Sequence, residues 1–479
     1  MEPEKRIQQL VGKRIVQVFR DASDVYICCF PVHKELHLYS KEFRKAFKAF
    51  WYREFAEQLH DYQLNNIIGF LELAGYDNKL NYTFANRIYN DDKGQILYDL
   101  NCNTNECICI EKGEFYLAET DEPYFLRSGN FKNQVKPDFG YSEKPEKLLD
   151  FVRKHFCLGS DKKVKLLSIY IVACLTGMSF NKPLLVLKGE KGSSKSTTLR
   201  KLELIIDPKQ SGLCSFPKSR DGLALRLANS FFTCFDNLSH LNQNDSDLLA
   251  ISITGGSTSD RALYENTAER ICNIHSIVAI NCIGMVVRSA DLLDRTLLIQ
   301  LTRIPSNKIQ TEESMWHSFN EDLPTILGCA FGALAQAMVI KSKPKTTERV
   351  RMADFHEFAI KAGIVLGISE DEVNELLFEN QRELSVDAIY SNQAALCVIE
   401  LMKDKEHYKA SPTQCLSDLK HIAKKLGIDS YLLPKDAARL TSTLEKVKSE
   451  LLKVYGISFR STRKKNRTYI IENCNYQDS

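Results

Sequence analysis

Residues 184–206 constrain this chain more than any other stretch. The apolar run Leu184-Leu185-Val186-Leu187 leads into Gly189-Glu190-Lys191-Gly192-Ser193-Ser194-Lys195-Ser196-Thr197, and a helix-forming stretch from Leu199 to Ile206 follows. A buried strand, a glycine-rich turn ending in Lys-Ser and then a helix is the order that a phosphate cradle requires. Gly189 and Gly192 let backbone N–H groups turn toward a triphosphate, and the helix N-terminus adds partial positive charge. Lys195 reaches the β- and γ-phosphates, and the Ser196 hydroxyl holds Mg²⁺. The sequence therefore predicts a Walker A loop that takes ATP and Mg²⁺. Ser194 stands where the common pattern has glycine, so a serine fits only if the backbone there avoids the strained region reserved for glycine.

Three further segments fall into order behind the loop. Phe231-Phe232-Thr233-Cys234-Phe235-Asp236-Asn237 is an apolar strand ending in an acid, a Walker B in which Asp236 holds the Mg²⁺ water shell. Its strand is expected beside the phosphate-loop strand, with room between the motifs for one helix and one further strand. Asn237 follows, where many ATPases place a glutamate. An amide orients a water but cannot take its proton, which makes hydrolysis slow or leaves the base to another group such as Glu190. Next comes the strand Ser276-Ile277-Val278-Ala279-Ile280-Asn281, whose last residue is placed to touch the γ-phosphate or the attacking water. Finally Ser289-Ala290-Asp291-Leu292-Leu293-Asp294-Arg295 precedes the strand Thr296 to Leu301. Arg295 is a candidate to supply charge to a neighbouring subunit's nucleotide, the plain alternative being a surface ion pair with Asp294.

Between the second and third strands lie Thr254-Gly255-Gly256 and Arg261, followed by Tyr264 and Arg270. This order of motifs, over residues 145–305, resembles helicase superfamily 3 and the related AAA+ ATPases of phages, plasmids and mobile cassettes. More distantly it is similar to the minichromosome-maintenance helicases, whose loop also reads G-x-x-G-x-x-K-S. The whole chain also resembles a group of phage- and island-borne ATP-binding proteins with a G-E-x-G-S-x-K-S-T loop. The resemblance implies a ring-forming, hexameric DNA helicase or translocase. Asn281 would be its sensor 1, Arg295 its arginine finger, and Arg349 or Arg351 its sensor 2. A hairpin carrying Arg261, Tyr264 and Arg270 would grip DNA in the central pore. A slowly hydrolysing nucleotide switch or DNA-bound scaffold is the alternative that Asn237 leaves open.

The rest of the chain frames this core. Residues 7–40 alternate as a short β-hairpin or meander, and Phe43, Phe47, Phe50, Trp51 and Phe55 then recur at helical spacing, as a core face with a basic back does. Period-two runs between Tyr82 and Phe131 predict a small antiparallel sheet, and Gly129 to Pro145 reads as a linker. Past Pro305 the pattern is helical. From about Ser391 it becomes that of a winged helix, with helices at Gln393–Met402, Pro412–Leu426 and Pro434–Tyr455. Two strands then bracket a turn, and Arg460, Arg463, Lys464, Lys465 and Arg467 offer phosphate contacts. The expected plan is an α/β AAA+ P-loop core (145–305), an N-terminal α+β accessory domain (1–144), a helical lid (306–390) and a winged-helix DNA-binding domain (391–479). A net charge of +3 confines nucleic-acid affinity to local patches. The fifteen cysteines form no C-x-x-C pair and read as reduced, buried thiols. The longest apolar candidate, Leu166 to Met178, is too short to span a membrane. With no secretion signal in Met1 to Arg6, the expected location is cytoplasmic and the expected partners are DNA and further copies of the chain, without a membrane.

Overall fold

The computed structural model describes residues 3–21, 26–30, 33–77, 81–82, 84–102, 106–120, 124–127, 130–261, 269–341, 345, 348–462 and 467–476. The central element is a four-stranded parallel sheet flanked by helices. In spatial order its strands are Phe232–Phe235, Ile277–Cys282, the phosphate-loop strand Leu184–Gly189, and Thr296–Leu301. These strands are apolar almost without interruption because both faces are covered. The expected adjacency of the Asp236 strand and the phosphate-loop strand does not occur, because the Asn281 strand is hydrogen-bonded between them. The further strand expected between the two motifs shrinks to a single parallel bridge between Cys214 and Phe235.

The chain ahead of this sheet forms two small β units. The first pairs His33–His37, Tyr26–Phe30, Gln17–Asp21 and Asn81–Tyr82, in that order, against the helices Lys41–Phe55 and Asp61–Asp77. Phe43, Phe47, Phe50 and Trp51 point into its core, as their spacing implies. A helix over Pro3–Gly12 escaped the sequence reading, although Ile7 and Leu10 bury one side of it. The second unit is an antiparallel meander of Ile88–Asn90, Ile96–Asp99, Glu106–Glu111 and Glu114–Glu119.

The meander shares its apolar core with the central sheet, so the core runs across the expected boundary at residue 144. Ile96, Tyr98, Ile108 and Phe115 belong to the same buried cluster as Leu185, Leu202 and Phe331. The segment expected as a linker is itself packed. Gly328 and Gly332 lie so close to the backbone oxygens of Asp138 and Ser142 that a β-carbon at either would sit 2.2 Å from one. These glycines belong to the helix Glu312–Val339, which falls in the stretch past Pro305 expected to be helical, runs through Pro324 and is long and apolar enough to cross a membrane. Its apolar side chains, including Leu327, Phe331 and Leu334, are spent on the interior of the fold.

Two more helices, Ala353–Val365 and Glu370–Tyr390, complete this part. The tail follows with helices Gln393–Met402 and Pro412–Lys425, and its expected third helix is two, Ala437–Glu445 and Lys448–Tyr455. A three-stranded antiparallel sheet of His407–Ala410, Thr468–Asn473 and Ile457–Thr462 closes it.

A buried ion pair fastens the meander to the sheet. The Arg87 guanidinium donates to Asp207 Oδ1 at 2.9 Å and to the backbone oxygens of Asp99, Lys132 and Pro208 at 3.0 to 3.2 Å. Both side chains are fully buried. Arg87→Met leaves the Asp207 carboxylate buried with one partner fewer, and a loss of about 3–5 kcal/mol is expected in denaturant unfolding. Replacing both residues by apolar ones of similar volume should recover part of it.

Glu203, buried on the helix Lys195–Ile206, has its carboxyl pushed up from 4.5 to about 7 by burial. Between those values the native state keeps a proton that the unfolded chain has released, so stability falls as pH rises from 4.5 to 7 and is flat above. In Glu203→Gln that loss is absent. Its melting temperature relative to the parent should therefore be higher at pH 8 than at pH 5.

Candidate nucleotide site and nucleic-acid surfaces

At the C-terminal ends of the three neighbouring strands the polar residues meet. The phosphate-loop strand ends at Gly189, where a β-carbon would lie 2.5 Å from the Leu301 carbonyl oxygen, so only glycine fits there. The loop turns at Gly192, with φ +77°, and the helix Lys195–Ile206 begins immediately after it. Ser193 Oγ donates to the Glu190 carbonyl at 2.8 Å and pins the turn from inside. Lys195 Nζ donates to the carbonyls of Gly189 and Glu190, both at 2.8 Å, while Glu190 and Lys191 are exposed.

Across the loop, Ser196 Oγ donates to Asp236 Oδ1 at 2.7 Å, and Asn281 Nδ2 donates to the same oxygen at 2.5 Å. Asn281 Oδ1 accepts the backbone N–H of Asn237 at 2.6 Å. This amide therefore fixes the carboxylate on one side and the following peptide on the other. The intervening strand is what makes this possible, since it carries Asn281 between the two motifs. Ser196 and Asp236 present hard oxygen donors side by side, a set that suits Mg²⁺ completed by phosphate and water. Thr197 continues the first turn of the helix.

Ser194 corrects the expectation for its position. The backbone does enter the left-handed region, at φ +58° and ψ +25°, and Asn237 does the same at φ +55°. That region is open to non-glycine residues at a cost of about 1 kcal/mol. Asn is tolerated there better than most residues, so the position after Asp236 suits an asparagine's backbone as well as its side chain.

The cations expected around the site fall into different places. Arg295 lies beside Leu184, at the opposite end of the sheet from the loop, because Thr296 pairs with Leu184 and Leu301 with Gly189. Five residues of strand, about 16 Å, separate it from its own chain's Gly189. Its guanidinium pairs with Asp291 at 3.2 Å, not with Asp294. Arg351 also binds Asp291, at 2.5 Å, and so is held away from the phosphate loop. Arg303, which sequence reasoning passed over, lies against the loop instead. Its side chain runs 3.9 Å from where a β-carbon on Gly192 would stand, and the next residue, Ile304, donates its N–H to the Gly192 carbonyl. Lys188, one residue before the loop, pairs with Asp387 of the helix Glu370–Tyr390. Neither has a motif signature, because each acts through the return of a distant segment.

Gly255 ends the helix Gln243–Thr254 at φ +72°, and a β-hairpin of Gly256–Arg261 and Glu269–Ile274 follows. Its register sets Arg261 opposite Glu269 and Arg270 opposite Asp260, while Tyr264 lies outside the described residues. In the tail hairpin Arg460 pairs with Glu472 at 2.5 Å and Arg467 Nε donates to Ser461 Oγ at 3.1 Å. Arg463, Lys464 and Lys465 lie outside the described residues.

Sheet and loop together define an α/β protein with a phosphate-loop sequence at the carboxyl end of a parallel sheet. Residues 150–370 match the family described as actinomycete integrative conjugative element replication protein, and residues 394–478 match the C-terminal domain described for the same RepA proteins. The chain is thus a replication protein of a mobile element. No curated protein matches it. Among solved structures, an apo form of the NrS-1 C-terminal region aligns over 98% of each chain at 13% identity with a TM-score of 0.39, and a second aligns at 12% identity with a TM-score of 0.38.

Ser194→Gly relieves the left-handed strain at one position without touching the loop's donors. It should raise the melting temperature in a thermal unfolding curve, equivalent to no more than about 1 kcal/mol.

Proposed function

We propose that this replication protein is an AAA+ P-loop ATPase that uses ATP to translocate on or unwind DNA while the element is copied. The observation that carries the reading is the meeting of Ser196, Asp236 and Asn281 within hydrogen-bond reach, one residue from Lys195. With nucleotide bound, Lys195 exchanges the loop carbonyls for phosphate oxygens, and Ser196 and Asp236 hold the Mg²⁺. Asn281, already on Asp236, is placed to feel the terminal phosphate. The ion would supply charge neutralisation at the phosphates, and the exposed Arg303 adds a cation beside the loop.

In this reading Arg295 serves a neighbouring subunit, since its own site is out of reach, and to do so it gives up Asp291. The hairpin 256–274 is the element that engages DNA in the ring. The tail, with its helices, the strand His407–Ala410 and a terminal β-hairpin, is a winged helix. Arg460 and Arg467 there would trade intrachain partners for phosphates.

A second reading rests on Asn237. The residue after Asp236 is an amide, its backbone N–H committed to Asn281, and it cannot act as a base. A switch that binds ATP and holds it would need no more.

ATP turnover with and without single-stranded DNA separates the two. For a motor, DNA stimulates hydrolysis. Lys195→Ala abolishes both basal and stimulated rates, and Arg295→Ala removes turnover while leaving ATP binding intact. Tight ATP binding with negligible turnover in both conditions would leave the switch and end the motor. Asn281→Ala should slow turnover by about 10²-fold, as removal of a positioned donor does, with little change in ATP affinity.

A further inference from the structure

A cleft of about 520 Å³ lies where the tail meets the central sheet's flank, and it carries charge of one sign. Arg288, in the loop after the Asn281 strand, faces Lys435, Arg439 and Lys446 of the tail across it. None of the lining residues is an aspartate or glutamate. All four cations are exposed. Arg439 has a distant partner in Asp436, at 3.6 Å. The floor is apolar, built from Ala388, Ala394, Leu433 and Val447, and Asn392 and Thr443 add polar edges. At its mouth Tyr431 and Leu432 are 76% and 51% exposed, though both are large and apolar.

We propose that this cleft is a binding channel for single-stranded nucleic acid. The inference deepens the DNA-acting reading and rests on it. Four cations, of which only Arg439 has a carboxylate partner among the described residues, would repel one another if the cleft stayed bare, and a polyanion relieves that repulsion. An apolar floor with an exposed tyrosine ring at the entrance suits a base laid on its face, which any sequence provides. A cavity of about 520 Å³ has the volume of a nucleotide or two, not of a duplex with both its backbones. Because Arg288 belongs to the sheet's own loop and the other cations to the tail, a strand lying here bridges the two. Arg288 follows the Asn281 strand by a short loop, which connects the channel to the nucleotide site. Arg460 and Arg467 of the tail hairpin do not line this cleft.

The test is fluorescence anisotropy of the whole chain with a labelled single-stranded DNA and, separately, with the matching duplex, over a range of salt. Three forms are compared: the parent, a cleft variant (Arg288→Ala, Lys435→Ala, Lys446→Ala) and a hairpin variant (Arg460→Ala, Arg467→Ala). A melting curve for each keeps folding apart from binding. The cleft variant should bind more than tenfold weaker, with the salt slope reduced by about 0.7 for each phosphate that is no longer neutralised. Tyr431→Ala should weaken binding about tenfold, the cost of one stacked base, with the salt slope unchanged. Parent-like affinity of the folded cleft variant, with binding lost in the hairpin variant, would overturn the channel and leave the DNA reading standing. Failure of the parent to bind any DNA would overturn both. A cleft variant that loses duplex and single-strand affinity equally would refute the single-strand assignment.

Discussion

The buried Arg87–Asp207 pair sets the base on which everything else stands. Asp207 ends the helix that begins at the phosphate loop. Its second carboxylate oxygen accepts the backbone N–H of Phe232 at 3.1 Å and lies 3.5 Å from Lys209 Nζ. One carboxylate thus joins the far end of the phosphate-loop helix to the start of the Asp236 strand, and Arg87 adds the meander. A fully buried charge is tolerable only when its hydrogen-bond capacity is filled, and here backbone oxygens from three separate segments complete the guanidinium. The loop and Asp236 lie at opposite ends of those same elements, so their separation is held from below.

What is held there is a set of groups that would otherwise repel or drift. Asp236 receives two donors on one oxygen, Ser196 and Asn281. Preorganised donors need not be collected when a ligand binds. The strained φ values at Ser194 and Asn237 belong to the same economy of position. Both sit at turns that aim a neighbour, Lys195 in one case and Asp236 in the other.

The parts of the molecule legible in the sequence are those whose signal is local. The phosphate loop, the four apolar strands and the aromatic face of Phe43 and Trp51 each announce themselves within a dozen residues, by period or by glycine placement. The order of strands in the sheet was not legible, because pairing depends on which crossover lies where and not on strand composition. For the same reason the motif order could be read while the pairing of the Asp236 strand with the phosphate-loop strand was misjudged. Arg303, the Lys188–Asp387 pair and the burial of Arg87 are contacts over long sequence separations, and a lone cation in sequence looks like any solvated one. A proline normally breaks a helix, but here the helix Glu312–Val339 runs through Pro324, and the Pro324 carbonyl accepts Asp138 N–H at 2.8 Å from the packed linker.

The helix Glu370–Tyr390 carries the site's geometry to the tail. At about 1.5 Å per residue it is some 30 Å long, and its apolar side chains enter three cores in turn. Val373 and Leu377 join the main core, Leu384 and Ala388 the cluster under the Asn281 strand, and Ile389 the core of the tail. Between them Asn380 closes the edge of the sheet by accepting the Leu298 N–H at 3.0 Å and donating to its carbonyl at 2.6 Å. Asp387 then reaches Lys188, next to the phosphate loop. A rigid rod bonded to the edge strand, paired with the residue before the loop and buried in the tail cannot shift at one of these places alone. By contrast, the surface ion pairs that also cross to the tail, such as Lys453 with Asp294 at 3.5 Å, are exposed and contribute little. A displacement of Lys188 would therefore be delivered to the tail through packing along this helix, and the cleft of Arg288 and Lys446, which the helix borders at Ala388, lies on its path.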